Sequence, residues 1–154
     1  MDSNDLIGTW ALQRFWFTDD AGAETDPLGR DAVGHLVLGA DGHYAFTMMR
    51  TGRTPYESGD LLGGSDAEKS EAADGYISFG GDWSFDGEAI HFGIAYSFFP
   101  NWVGGTQRRL AAMDGDELVL RTAGPIPMAG KVHRGAARWR RLPDRLSSAG
   151  NGIV

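Results

Sequence analysis

A chain of 154 residues with 42% hydrophobic content forms one domain with enough apolar mass for a real core. Its formal net charge of −7 excludes the basic face that nucleic-acid phosphates require, and the lack of cysteine excludes disulfides and thiolate chemistry. No apolar run approaches the ~20 residues of a bilayer span, and the polar start Met1-Asp2-Ser3-Asn4-Asp5 lacks a basic leader, which predicts a soluble cytoplasmic protein without membrane partners.

The first strand is expected over residues 7 to 18, opened by Leu6-Ile7-Gly8-Thr9-Trp10. Gly8 lets the backbone turn tightly into the strand, and Trp10 can lay a large ring across one end of a small closed barrel. Strict alternation puts Trp10, Leu12, Arg14 and Trp16 on one face and Ala11, Gln13, Phe15 and Phe17 on the other. Thr18 to Asp31 reads as a turn-rich loop. A second strand, Val33 to Gly39, passes through Asp41-Gly42 into a third, His43 to Arg50; Asp-Gly between two such runs is a hairpin signal. Residues 51 to 64 form an irregular, glycine-punctuated loop placed to gate an open end. Ser65-Asp66-Ala67-Glu68 has the form of a capping box, so a helix is predicted over residues 66 to 74, stopping at Gly75.

Tyr76 to Phe85 and Glu88 to Phe98 form a hairpin around Asp86-Gly87, with Phe98-Phe99-Pro100-Asn101-Trp102 closing it. Thr106 to Met113 and Glu117 to Thr122 form another around Asp114-Gly115. The last strand spans about His133 to Leu142, where an arginine of Arg138-Trp139-Arg140-Arg141 can stack on Trp10. From Asp144 to Val154 the chain is polar and Gly/Ser-rich, a flexible tail behind a domain of residues 1 to 143. Eight antiparallel strands with one short inserted helix make an all-β barrel, the strand number that closes around side chains or one small ligand.

Candidate sites follow from the same pairing arithmetic. A two-residue turn at Asp114-Gly115 sets Arg109 opposite Leu120, so Arg109 and Gln107 project inward with the leucines. An inward arginine needs acceptors: a ligand oxygen, an internal aspartate, or the face of Trp10. A two-residue turn at Asp86-Gly87 sets Asp82 opposite His91, a possible acid–base pair. Its face also carries Ser84, Gly80, Gly93 and Ala95, whereas Trp83, Phe85, Ile90 and Phe92 make the natural core face, which favours a surface pair. Asn101 and Trp102 either line the barrel mouth or form a rigid turn. Trp16, Tyr44, Phe46, Trp83, Phe92 and Trp102 supply aromatic surface for a flat or polyene-like guest, oriented by Arg109 and Gln107, with Arg14 and His91 as other polar candidates. The four histidines are scattered, and no metal or cofactor motif is present.

These residues resemble the bacterial and fungal lipocalin-like domain family, small members of the calycin group. The resemblance runs through LIGTW (6–10), DPLG (26–29), ADGHYAFTMMR (40–50), SGDLLGG (58–64), DGYISFGG (74–81), FFPNWVG (98–104) and RWRRLP (138–143). It implies a lipocalin-type barrel with an internal cavity for a hydrophobic small molecule. Two readings stay open at this level. One is a monomeric or homodimeric binding module for a polyketide-like or aromatic molecule. The other is a cofactor-free cyclase, isomerase or dehydratase of natural-product biosynthesis, in which Arg109 or Asp82 and His91 move charge or protons. An assembly partner with a packed, empty barrel is a third, weaker reading.

Overall fold

The computed structural model describes residues 1–145, so most of the tail expected from Asp144 onward lies outside the described residues. The chain begins with a one-turn helix α1 (Ser3–Leu6), then β1 (Gly8–Asp19), β2 (Glu24–Thr25), β3 (Val33–Leu38) and β4 (His43–Met49). Helix α2 (Asp66–Asp74) precedes β5 (Tyr76–Phe85), β6 (Ala89–Gly93) and β7 (Tyr96–Ser97). A 3₁₀ turn (Pro100–Trp102) leads to β8 (Thr106–Asp114), β9 (Glu117–Thr122), β10 (Ile126–Met128) and β11 (Lys131–Arg141).

Each long strand pairs antiparallel with its neighbour in the order β1-β3-β4-β5-β6-β8-β9-β11, and β11 returns to β1 from Trp10↔Arg141 to Asp19↔His133. The result is a closed eight-stranded antiparallel barrel; the short β2, β7 and β10 attach to β1, β5 and β11. Closure removes the free edges that an open sheet would expose. Helix α2 has the bounds its capping box predicts: the Ser65 hydroxyl accepts from the Glu68 amide at 3.2 Å while the Glu68 carboxylate accepts from the Ser65 amide at 2.7 Å.

The hairpin turns at Gly39–His43, Asp86–Ala89 and Asp114–Glu117 all lie at one barrel end, with α1. Trp10, Trp139, Leu118, Ile90 and Phe92 have no exposed surface and fill this half. Trp10 Nε1 donates to the Leu6 carbonyl at 2.9 Å, and the Arg141 guanidinium lies over the ring at 4.1 Å. Arg141 also donates to the carbonyls of Ile7 and Asp5, tying the chain start to the last strand. Gly8, with φ +138, is the hinge; a Cβ there would stand 3.0 Å from the Arg141 guanidinium.

Three details of register depart from the expected pairing. First, Leu12 pairs with Trp139 but Arg14 pairs with Arg138, so Gln13 is an extra residue, a β-bulge. Side chains after it exchange faces. Arg14 and Trp16 therefore point out of the barrel and Phe15 and Phe17 point in, the reverse of strict alternation.

Second, the turn after β8 is Gly115-Asp116 rather than Asp114-Gly115, because Asp114 still pairs with Glu117. Gly115 at φ +61 occupies the first central position, where a II′ turn wants glycine. Arg109 consequently faces Thr122, not Leu120. A two-residue slip keeps every face, so Arg109 remains inward.

Third, the turn after β5 is longer than Asp86-Gly87. The Asp86 amide donates to the Ala89 carbonyl at 3.1 Å, and the Asp86 carboxylate caps the amides of Glu88 and Ala89. His91 thus pairs with Ser84, not Asp82. The strand expected over residues 88 to 98 is also interrupted: Trp83 pairs with Phe92 but Gly80 pairs with Tyr96, one residue out of step. The Tyr96 side chain crosses Gly80, where a Cβ would meet its hydroxyl at 2.1 Å.

Candidate ligand cavity

The half of the barrel away from Trp10 is not filled. A cavity of about 300 Å³ opens between β1, β4, β5, β8, β9 and β11, within the range usual for small-molecule sites and at its lower end. Phe15 and Phe17 line one wall, Phe46, Met48, Ile77 and Phe79 another, and Leu120, Ala136 and Ala137 the far side. Pro27, Trp102 and the segment Ile126-Pro127-Met128 complete the lining. The rings are ordered among themselves: Phe46 stacks on Phe79 at 4.4 Å, Trp102 meets Phe79 edge-on at 5.4 Å, and Phe15 meets Phe17 edge-on at 5.1 Å. Rings held in this way give the cavity a wall of aromatic faces and edges.

Two polar side chains interrupt this apolar wall, Arg109 and Thr122, partners across β8 and β9. Arg109 donates to the Gln107 side-chain oxygen and to the Arg108 carbonyl at 3.3 Å. Among the described residues no carboxylate pairs with it, and burial pushes its guanidinium down to about 10. The Thr122 hydroxyl accepts from the Gly135 amide at 3.1 Å, which leaves its proton free to donate.

Of the residues picked from the sequence, Phe46, Trp102 and Arg109 meet at the cavity, with Gln107 behind Arg109. Tyr44, Trp83 and Phe92 point inward but belong to the packed half; Trp83 Nε1 donates to the Gly39 carbonyl at 2.9 Å. Asn101 is exposed on the 3₁₀ turn beside the half-buried Trp102.

Arg14 and Trp16 are corrected to the outer surface. Arg14 binds Asp26 at 2.8 Å and Glu24 at 2.7 Å, and its guanidinium lies 4.8 Å from the Trp16 ring, which it shields with Arg138. The Arg14 hydrogen bond holds the Asp26 carboxyl below the usual carboxylate range.

The proposed Asp82–His91 pair is also corrected. His91 Nε2 meets Asp86 Oδ2 at 2.7 Å on the outside of the barrel, and Arg108 joins the same group through Glu88 at 2.6 Å. The His91 contact, with two backbone amides, holds Asp86 well below the usual carboxylate range. Asp82 instead lies against Gly93, where a Cβ would meet its carboxylate at 2.5 Å.

Phe15 and Phe17 escape a sequence reading because the bulge inverts their face, and Ile126-Pro127-Met128 because its turn is not a familiar pair. Ala129 and Gly130 there both take positive φ, +49 and +74, the I′ geometry usually supplied by Asn-Gly. The apolar run Ile-Pro-Met between two turn regions was the available signal.

A family model for a lipocalin-like domain matches residues 7–142. The chain belongs to the lipocalin-like domain family. A curated relative, the 4'-hydroxy-3'-methoxypropiophenone carrier protein ppsC of Aspergillus oryzae (strain ATCC 42149 / RIB 40), is 32% identical over 105 residues, 62% of this chain and 94% of that protein. No solved structure matches this lipocalin-like chain significantly. Among the described residues no helix is long and apolar enough to cross a membrane, and no group of three His, Cys, Asp or Glu side chains is placed to hold a metal ion.

Proposed function

We propose that this lipocalin-like protein carries a small aromatic molecule, a one-ring ketone or phenol, in the open half of its barrel. The observation that carries the reading is a cavity walled by rings and aliphatic groups and marked by one unpaired cation, Arg109. Apolar walls supply affinity without direction, and a single polar pole fixes which end of the guest enters first. A volume of about 300 Å³ suits one substituted ring better than a long polyene. The relative named for carrying a hydroxylated, methoxylated propiophenone supports the same ligand class.

A cyclase or isomerase would need a group that exchanges protons with its substrate. The lining side chains include no carboxylate or imidazole, and the Asp86–His91 pair stands outside the barrel. Carriage is therefore the better reading.

The test is titration of 4'-hydroxy-3'-methoxypropiophenone, followed by quenching of tryptophan fluorescence, against wild type and Ala137→Phe. Ala137 is buried on the cavity wall, so a ring there occupies the guest's space. Binding should fall about 100-fold, or ~2.7 kcal/mol, while the thermal midpoint stays close to wild type. Equal affinity in both proteins would place the ligand elsewhere.

The loop over residues 51–64 leads from β4 at the open end to α2 and leaves Leu61 and Leu62 92% and 85% exposed. Amide exchange across it should be fast in the free protein and slow with saturating ligand. Identical rates in the two states would remove the loop from any gating role.

A further inference from the structure

Both polar side chains that line the cavity have a proton to give, and neither is a carboxylate. Arg109 offers a planar fork of N–H donors and carries no acceptor. Thr122, its partner across the strands, already accepts from Gly135 and has a proton to give. Gln107, whose oxygen is the nearest acceptor, spends that oxygen on Arg109. No carboxylate, carboxamide or imidazole side chain lines the space. Behind the walls, two buried polar atoms lack partners: the Tyr44 hydroxyl, whose ring packs edge-on against Phe79, and Trp139 Nε1, whose ring packs edge-on against Phe46. Both can donate. A desolvated cation with donors beside it and no carboxylate is suited to an oxygen that carries negative charge.

We infer that the protein takes its ligand as a conjugated oxyanion, an ionised acyl-phenol whose phenolate lies against the Arg109 fork and the Thr122 hydroxyl. The inference rests on the carrier reading and adds the charge state and orientation of the guest. A phenolate satisfies Arg109 where the apolar lining cannot, and charge-assisted hydrogen bonds of this type are stronger than neutral ones. The depressed guanidinium supports the point, since it reports a cation held without a counter-charge. Binding an anion relieves that condition, so ligand and Arg109 should each favour the other's charged form. A neutral phenol or ketone oxygen could accept from Arg109 but would bring no counter-charge, so it would bind the guanidinium more weakly than the phenolate.

The experiment is an absorbance titration of 4'-hydroxy-3'-methoxypropiophenone between pH 5 and 10, free and with excess protein, because the phenolate absorbs at longer wavelength than the phenol. In the complex the ionisation midpoint should fall by about one pH unit or more, a tenfold preference for the anion. The O-methyl ether, which cannot ionise, should bind more weakly and with an affinity independent of pH over this range. Arg109→Met keeps a linear stem but removes the charge. It should still bind the ether and lose the downward shift, and its thermal midpoint should match or exceed wild type because an unpaired buried cation is gone. A wild-type midpoint at or above the free value overturns the inference and leaves the carrier reading standing. A downward shift that survives in Arg109→Met overturns the assignment to Arg109. Failure of both the phenol and its ether to bind overturns the carrier reading and this inference together.

Discussion

Replacing Trp10 with alanine should destabilise the protein by about 3–5 kcal/mol, the range for deleting a large buried aromatic side chain. The indole has no exposed surface and closes the barrel end where α1, β1 and β11 converge. Three losses coincide in the alanine variant. The apolar area goes, the Nε1 bond to the Leu6 carbonyl goes, and Arg141 loses the ring beneath its guanidinium. Trp10→Phe separates them, since it retains a ring for packing and for Arg141 but loses the hydrogen bond; it should cost ~1–3 kcal/mol. Urea denaturation of the three proteins measures both steps. An alanine variant within ~1 kcal/mol of wild type would show that the end is closed by other residues.

Deleting Gln13 should do more damage than any single substitution on β1. Gln13 itself is exposed, and its amide reaches only neighbouring carbonyls, those of Ala11 and Leu12 at 3.3 Å, so Gln13→Ala should change stability by less than about 0.5 kcal/mol. Removing the residue removes the bulge. If the Trp10 half keeps its register, Arg14 and Trp16 turn into the cavity while Phe15 and Phe17 turn to solvent. Arg14 would then leave Asp26 and Glu24 for an apolar interior, at a penalty of several kcal/mol per buried ion. Exposing two phenylalanines adds ~1.5–3 kcal/mol each. A domain of this size holds only about 5–15 kcal/mol in reserve, so the deletion variant should lose its near-UV circular dichroism and its cooperative melt. A deletion variant that melts within a few degrees of wild type would mean that the bulge can move along the strand.

The contrast between these two experiments also separates what was legible in the sequence from what was not. Strand number and the inserted helix are local matters, and the tryptophan plug with its arginine follows once the first and last strands are taken to meet. Glycine-centred turns, the Ser65–Glu68 capping box and alternating apolar runs act over a few residues, and the pattern records them directly. The inward direction of Arg109 survived an error in the turn because the slip was two residues, and the side-chain period of a strand is two. The Asp82–His91 pairing did not survive, since a pair depends on the absolute register and not on its parity.

The sequence by itself determined a closed β-barrel with a sealed end, and an arginine aimed into its interior. Only the tertiary structure decided which rings share the cavity with that arginine. A single extra residue at Gln13 exchanged Trp16 for Phe15 and Phe17, and no signal within β1 marks it, because both faces of the strand are partly apolar. The bulge is set by how β1 must match β11 across the seam that closes the barrel. That match joins residues more than a hundred positions apart, and its physical reason is closure: the two ends of the sheet must meet in a register that no local pattern contains.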